Sequence, residues 1–256
     1  MSNRMPPPPR VEDTWLQPGS ALYVQVRARI VGAIRSGEWP SGQAIPPERV
    51  LCERFGVSIG TLRKAVDELT ASGILVRRQG RGTFVARHSE GRYLFSFFHL
   101  VLTDGRKEYP SVRFNHFAPT LADERAAKAL NVALGAPLWH LQNVLSLGGQ
   151  IASVDDIFLP QSRYENLSEN TLRERDTTLY QLYQDQFGVA IIRTQECVHA
   201  AAAAAPYTKL LKVTAGTPLL AITRTAFSFE DAPVELRISH VNTQHCQYCP
   251  TALSES

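Results

Sequence analysis

Apolar residues recur every three to four positions from Leu22 onward, where Leu22, Val26, Ile30 and Ile34 form one stripe widened by Val31 and Ala33. That period predicts an amphipathic helix over 22–36, stopped by Gly37. Pro40-Ser41-Gly42 reads as a turn. Pro46-Pro47 then opens a short helix with Val50, Leu51 and Phe55 inward and Gly56 as its stop. Ser58 fits the N-cap of a third helix, 59–71, with Leu62, Ala65, Val66 and Leu69 inward and Gly73 as its end. Residues 74–78 and 83–86 read as two strands around the hairpin turn Gln79-Gly80-Arg81-Gly82. The order helix, helix, short turn, helix, hairpin is that of a winged helix-turn-helix.

Beyond His88 the rhythm changes. Strands are expected over 93–102, 112–119, 137–147, 150–159, 190–199, 218–229 and 233–241, and helices over 122–131, 177–187 and 202–212, with the alanine run 200–205 as a good helix former. Leu130-Asn-Val132-Ala-Leu-Gly135-Ala-Pro137-Leu138 repeats as Leu211-Lys-Val213-Thr-Ala-Gly216-Thr-Pro218-Leu219, at a constant offset of 81 residues. Each copy is a helix end, a Gly-x-Pro entry into a strand, and a hairpin. Two such units around one antiparallel sheet make a pseudo-symmetric α+β domain. The expected organisation is a Pro-rich arm over 1–19, a winged helix-turn-helix DNA-binding domain over 20–88, a linker over 89–91, the α+β domain over 92–250, to which the resemblance described below assigns effector binding and dimerisation, and a tail over 251–256.

Charge sharpens that division. Residues 20–88 hold eleven arginines and lysines against five acids, a balance of +6, while the chain as a whole carries only +3. A basic front module on a mildly acidic body points to a polyanion partner. The chain is 44% apolar, so it can bury a core. Its longest apolar run, near 200–205, falls far short of the ~20 residues of a membrane helix. Pro6–Pro9 and the absence of an apolar stretch near the start are unlike a secretory signal. Four cysteines make no disulfide framework, so a reducing cytoplasm is expected.

In a helix-turn-helix the second helix of the motif lays its first residues over base edges in the major groove. Here that helix starts at Ser58, and its inward stripe leaves Ile59, Gly60, Arg63, Lys64 and Asp67 outward. Arg63 has the fork that matches guanine O6 and N7. Ser58, Thr61 and the helix N-terminal amides suit phosphate oxygens. Arg49 belongs to the preceding helix, which crosses the DNA backbone. The wing sets Arg77, Arg78 and Arg81 beside Gly80 and Gly82, cations next to residues that permit close approach to a phosphate or a narrow minor groove.

These residues resemble the GntR family of bacterial transcription regulators. The likeness runs through Leu22-Tyr23-x-Gln25, Gly37, Gly42, Ile45-Pro46-x-Glu48-Arg49, Leu51, Phe55-Gly56-Val57-Ser58, Thr61-Leu62-Arg63, Ala65, Leu69, Gly73, Leu75 and Gly80-x-Gly82-Thr83-Phe84-Val85. The later repeat, ending Pro233-Val234-Glu235 and Asn242-Thr243, is similar to the UTRA effector-binding domain of the HutC-type subfamily, whose fold is like chorismate lyase. The resemblance implies a homodimeric repressor on a palindromic operator, released by a small metabolite, with no cofactor, no membrane and no catalytic residues. Two departures stand out. Pro47 replaces the family's usual serine before the helix-opening glutamate. Ile59-Gly60 follows Ser58 where the family commonly places a base-reading arginine.

The resemblance also points to His140 and Gln142 where relatives that bind anions alternate two arginines, which makes a phosphorylated sugar a poor fit. Asp155, Arg224, Glu235 and His240 are further ligand candidates. Phe95, Phe97, Phe98 and Trp139 are expected in the core, as are Cys52 and Cys197. Two alternatives stay open: a DNA-tethered enzyme with a lyase-like second domain, and a metal- or redox-sensing regulator using Cys246 and Cys249, which have the look of half a zinc site without a second pair. No nucleophile-elbow, Walker, Rossmann or zincin motif occurs.

Overall fold

In the computed structural model the described residues are 21–71, 73–86 and 97–250. The expected arm 1–19, linker 89–91, tail 251–256 and strand start 93–96 lie outside them, as does Phe95. The chain divides into two compact units with the break between Val85 and Ala86.

The front unit is built from α1 (Leu22–Arg35), α2 (Glu48–Phe55), α3 (Ile59–Ala71) and a hairpin of β1 (Leu75–Arg78) and β2 (Gly82–Val85). Its core joins the inward stripes of the three helices: Val26, Ile30 and Ala33 from α1, Leu51 from α2, and Leu62, Ala65, Val66 and Leu69 from α3. Leu75, Val85, Trp39 and Ile45 close it. α2 starts on Pro47, which supplies no side-chain cap, and ends on Gly56 at φ 66°, a left-handed turn that glycine adopts without a Cβ clash.

In the second unit a six-stranded antiparallel sheet has the order β4-β5-β6-β9-β8-β7. Its strands are β4 (Ser111–Leu121), β5 (Pro137–Leu147), β6 (Gln150–Pro160), β7 (Arg193–Ala202), β8 (Pro218–Phe227) and β9 (Pro233–Val241). The repeat seen in the sequence accounts for this order. Strand β4, helix α4 (Glu124–Leu130) and the hairpin β5–β6 form one half; β7, α7 (Tyr207–Leu211) and β8–β9 form the other. The halves meet where β6 pairs β9, through Asp155 opposite Ser239 and Asp156 opposite Ile238.

Residues directly opposite on paired antiparallel strands point to the same face, which sorts the side chains. One face carries Leu138, Val144, Val154, Leu219 and Leu236, packed under α4 and α7. The other carries Leu141, Ile157 and Leu159 under α5 (Glu169–Glu174) and α6 (Leu179–Phe187). On that second face a separate cluster holds Ile222 and Val241 with β3 (Leu100–Leu102) and β10 (Cys246–Tyr248), which pair with each other.

Several expectations are corrected. Ala200 to Ala202 close strand β7 opposite Pro218–Leu220 instead of opening a helix, and the helix is only Tyr207–Leu211. Ladder bonds to β8 outweigh alanine's modest helix propensity, and Pro206 disfavours helical backbone in the residue before it. Strand β7 accordingly starts at Arg193 rather than 190, and β8 ends at Phe227. Cys197 is exposed on the edge strand β7, not in the core, whereas Cys52, half-buried, packs against the front core as expected. Helix α5 was not anticipated, although Ser168 caps it by accepting from the Thr171 amide.

Candidate nucleic-acid interface and effector site

The first turn of α3 is arranged as an exposed, pre-set surface. Ser58 Oγ accepts from the Thr61 amide at 3.3 Å and lies 2.9 Å from Thr61 Oγ1, so the cap is reinforced by a second hydroxyl. Ile59 is 49% exposed, a high value for a large apolar side chain. Arg63 does not wave freely: its guanidinium bonds Glu48 at the start of α2, Nε and Nη2 each 2.9 Å from Oε2. Glu48 therefore orders the fork while leaving it on the surface. Lys64 lies 3.8 Å over the Tyr23 ring and so leans back on α1. Arg49 reaches Glu53 only at 3.9 Å and is almost fully exposed.

In the wing, Arg78 pairs with Gly82 across the hairpin and its guanidinium covers the Phe84 ring. Arg77 bonds Asp67 of α3 at 2.6 Å, tying wing to helix. Gly80 and Gly82 have φ of +70° and +107°, values that L side chains rarely adopt, so the turn that presents Arg81 depends on them. Gly60 is different. A Cβ there would meet only Ser58 Oγ, at 3.9 Å. Gly60→Ala is therefore expected to stabilise the front unit by about 1 kcal/mol through helix propensity, read as a higher urea midpoint at unchanged slope.

The six ligand candidates fall on opposite faces of the sheet. His140, Gln142 and His240 share the face under α4 and α7. Asp155, Arg224 and Glu235 share the face under α5 and α6. They do not form one constellation. On the first face Asp156, which was not singled out, accepts from His140 Nε2 and Gln142 Nε2 at 2.8 Å and from the Tyr207 hydroxyl at 2.7 Å. Burial alone would raise its pKa, but these bonds and the charge of His140 bring it below the ordinary carboxylate value. Tyr207 also stacks on His240, with ring centroids 3.8 Å apart. This network fastens α7 to the sheet.

The second face holds a polar belt between its two apolar clusters. Arg224 stands directly opposite Arg237, a like-charge cross-strand pair that would repel if left alone. Each is neutralised by carboxylates. Glu235, 0% exposed, accepts from Arg237 Nε and Nη2 at 3.0 and 3.1 Å, and from the Tyr180 and Tyr183 hydroxyls at 3.1 and 2.8 Å. Asp155 accepts from Arg237 Nη1 at 3.3 Å and from Ser153 Oγ at 3.2 Å. Glu196 takes Arg224, His99 and the Tyr248 hydroxyl. Asn143, opposite Asp155 on the next strand, is 2% exposed, and its Oδ1 has no hydrogen-bond partner among the described residues. Sequence reading missed Asn143, Arg237 and Glu196. No sequence signal marked them, because bulges in both hairpins shift the parity that sets the face of Asn143 and Arg237, and Glu196 depends on the pairing of β7 with β8.

Burial would raise the Glu196 pKa, yet the bonds from His99 and Tyr248 and the charge of Arg224 hold it at about 2. A carboxylate depressed in the fold stabilises it above the unfolded pKa and loses that stabilisation as pH falls through the folded one. The unfolding free energy should therefore drop between about pH 5 and pH 2. In Glu196→Gln that part of the slope should vanish, measured by urea unfolding at stepped pH.

Cys246 is buried with its thiol held near the Asn242 carbonyl, and burial raises its pKa. Cys249 is half-buried. Among the described residues no cluster of histidine, cysteine or carboxylate could hold a metal ion, and no helix is long and apolar enough to cross a membrane.

Comparison with known proteins agrees with this geometry. The profile of the bacterial regulatory proteins of the gntR family matches residues 22–85, and the UTRA domain profile matches 105–247. The chain is 32% identical over 234 residues to an Escherichia coli (strain K12) protein named "Probable fructoselysine utilization operon transcriptional repressor", covering 88% of this chain and 90% of that one. It is likewise 32% identical to the histidine utilization repressor of Pseudomonas aeruginosa, covering 88% of each. Among solved structures, the ligand-binding domain of a Bordetella bronchiseptica protein assigned to the GntR-family transcriptional regulators superposes with a TM-score of 0.57 at 27% identity, over 61% of this chain and 97% of that one.

Proposed function

Because this chain belongs to the GntR family of bacterial transcription regulators, with a UTRA domain behind its DNA-binding module, we propose that it silences a utilisation operon by holding a palindromic operator as a homodimer and lets go when a small metabolite occupies the polar belt. Its relatives are named as repressors rather than enzymes, and that favours regulation over a lyase-like activity. The observation that carries the reading is the first turn of α3, where Ser58, Ile59, Gly60 and Arg63 form one exposed surface around the half-buried Thr61 and Glu48 pre-orders the Arg63 fork.

In this reading Arg63 reads a guanine edge, Ile59 touches a thymine methyl, and Ser58, Thr61, Arg49, Lys64 and the wing arginines hold phosphates. Ile59 and Gly60 cannot replace the bidentate contact of an arginine, so the operator departs from the family's commonest sequence. The effector contacts Asp155, Arg224, Arg237 and Asn143, with Glu235 and Glu196 as the carboxylates that hold the two guanidiniums in place. Ligand binding shifts the DNA equilibrium only by its differential affinity for the two states. Footprinting of the upstream region of the gene tests the proposal. Two protected half-sites about one helical turn apart are expected; a single unsymmetrical footprint contradicts the two-fold reading.

A further inference from the structure

Resting on the placement of the effector at the polar belt, we propose that this effector is a zwitterion, one small molecule bearing both a carboxylate and a protonated amine, as amino acids and their side-chain derivatives do. The internal repeat shows why. Arg224 lies 81 residues after Asn143, and Arg237, its cross-strand partner, corresponds to Asp155, the cross-strand partner of Asn143. The same two positions in the two halves of the sheet therefore carry opposite chemistry. One half presents two guanidiniums side by side, and the other presents an amide and a carboxylate.

The cationic half suits a carboxylate. Two guanidiniums directly opposite one another carry ten N–H donors between them, and the carboxylates beside them also share their lone pairs with Ser153, His99, Tyr180, Tyr183 and Tyr248. The other half suits a hydrogen-bond donor with positive charge. Asn143 Oδ1 is buried without a partner among the described residues, and Asp155 stands opposite it with both oxygens as acceptors. A buried polar atom left unpaired is costly, and a ligand ammonium supplies the missing proton.

The two ends are close enough for one small molecule, since Arg237 Nη1 and Asp155 Oδ2 are 3.3 Å apart. The charge balance agrees. Arg224, Arg237 and Arg175, whose charge acts on Arg237, balance Asp155, Glu196 and Glu235 before His99 is counted. A dianion such as a sugar phosphate would bring two uncompensated charges into that buried balance. A zwitterion satisfies both ends at no net charge.

The test uses the full chain bound to its operator duplex, with release followed by fluorescence anisotropy and ligand affinity by calorimetry. The probes are the twenty L-amino acids and Nε-alkylated lysines; for each that acts, its N-acetyl and its carboxamide form; and glucose 6-phosphate and glucosamine 6-phosphate. At least one amino acid or lysine derivative is expected to release the DNA. Blocking its amine or its carboxylate should weaken binding at least tenfold. Asn143→Leu should weaken it similarly, while Asn143→Asp, which keeps shape and acceptor, should retain it; this rescue separates a binding role from a folding defect. Release by a sugar phosphate alone, or by no probe, overturns the ligand class. Release by an amino acid that Asn143→Leu and Arg237→Lys leave unchanged keeps the class but removes it from the belt, and so overturns the site on which the inference rests.

Discussion

Glu235→Ala is expected to be the most damaging single substitution in the second unit. The carboxylate is fully buried and accepts from Arg237 twice and from Tyr180 and Tyr183. Burial, followed by the charge of Glu235, pushes the Tyr180 pKa up to about 12, so both phenols are donors throughout the physiological range. Alanine would leave a guanidinium buried with only Asp155 to face it and two hydroxyls without their acceptor. Breaking one partner out of a buried ion pair costs about 3–5 kcal/mol, a large share of the ~5–15 kcal/mol that holds a domain folded. Urea unfolding should show a lowered midpoint for the transition of the second unit and leave that of the front unit in place. Glu235→Gln keeps the shape and one acceptor and should cost less. If Glu235→Ala unfolds like the parent chain, the network is not what holds β9 under α6.

Arg63→Ala should have the second-largest effect, and on specificity instead of stability. A bidentate guanine contact discriminates by about 1–3 kcal/mol, so preference for operator over scrambled duplex should fall roughly ten- to a hundredfold per half-site. Non-specific affinity should fall much less. Arg81→Ala is the counterpart. At the wing tip it should weaken every duplex alike and flatten the salt dependence. Glu48→Gln offers a finer reading, because it loosens the Arg63 fork without deleting it and should leave an intermediate specificity. Equal loss of operator and scrambled binding in Arg63→Ala would make Arg63 a phosphate contact.

The front unit was legible because its information is local. The stripe Leu62, Ala65, Val66, Leu69, the Ser58 cap and the Gly56 stop all lie within one turn of the structure they determine, and α3 spans the expected 59–71. In the second unit the repeat at an offset of 81 made the pairing of two equivalent halves readable, and β5 and β9 match their expected bounds. Which residues share a face was not readable. A one-residue change in a bulge or hairpin turns every later side chain over. Bulges interrupt β5–β6 at Leu145/Ser146 and β8–β9 at Ala226/Phe227. His140 and Gln142 were thus grouped with Asp155 across a sheet that separates them, while Asn143, one position away, was passed over. The alanine run failed for a related reason, since edge pairing with β8 is a long-range fact that local propensity does not contain.

The central claim, sequence-specific DNA binding by the front unit, is met most directly by fluorescence-anisotropy titration of the full chain. It would be run on a duplex from the upstream region of its own gene and on a scrambled duplex of equal composition, at two salt concentrations. The account predicts a preference for the upstream duplex of about a thousandfold or more at moderate salt, with both affinities falling as salt rises. Equal affinity for both duplexes, or binding to neither, would contradict it.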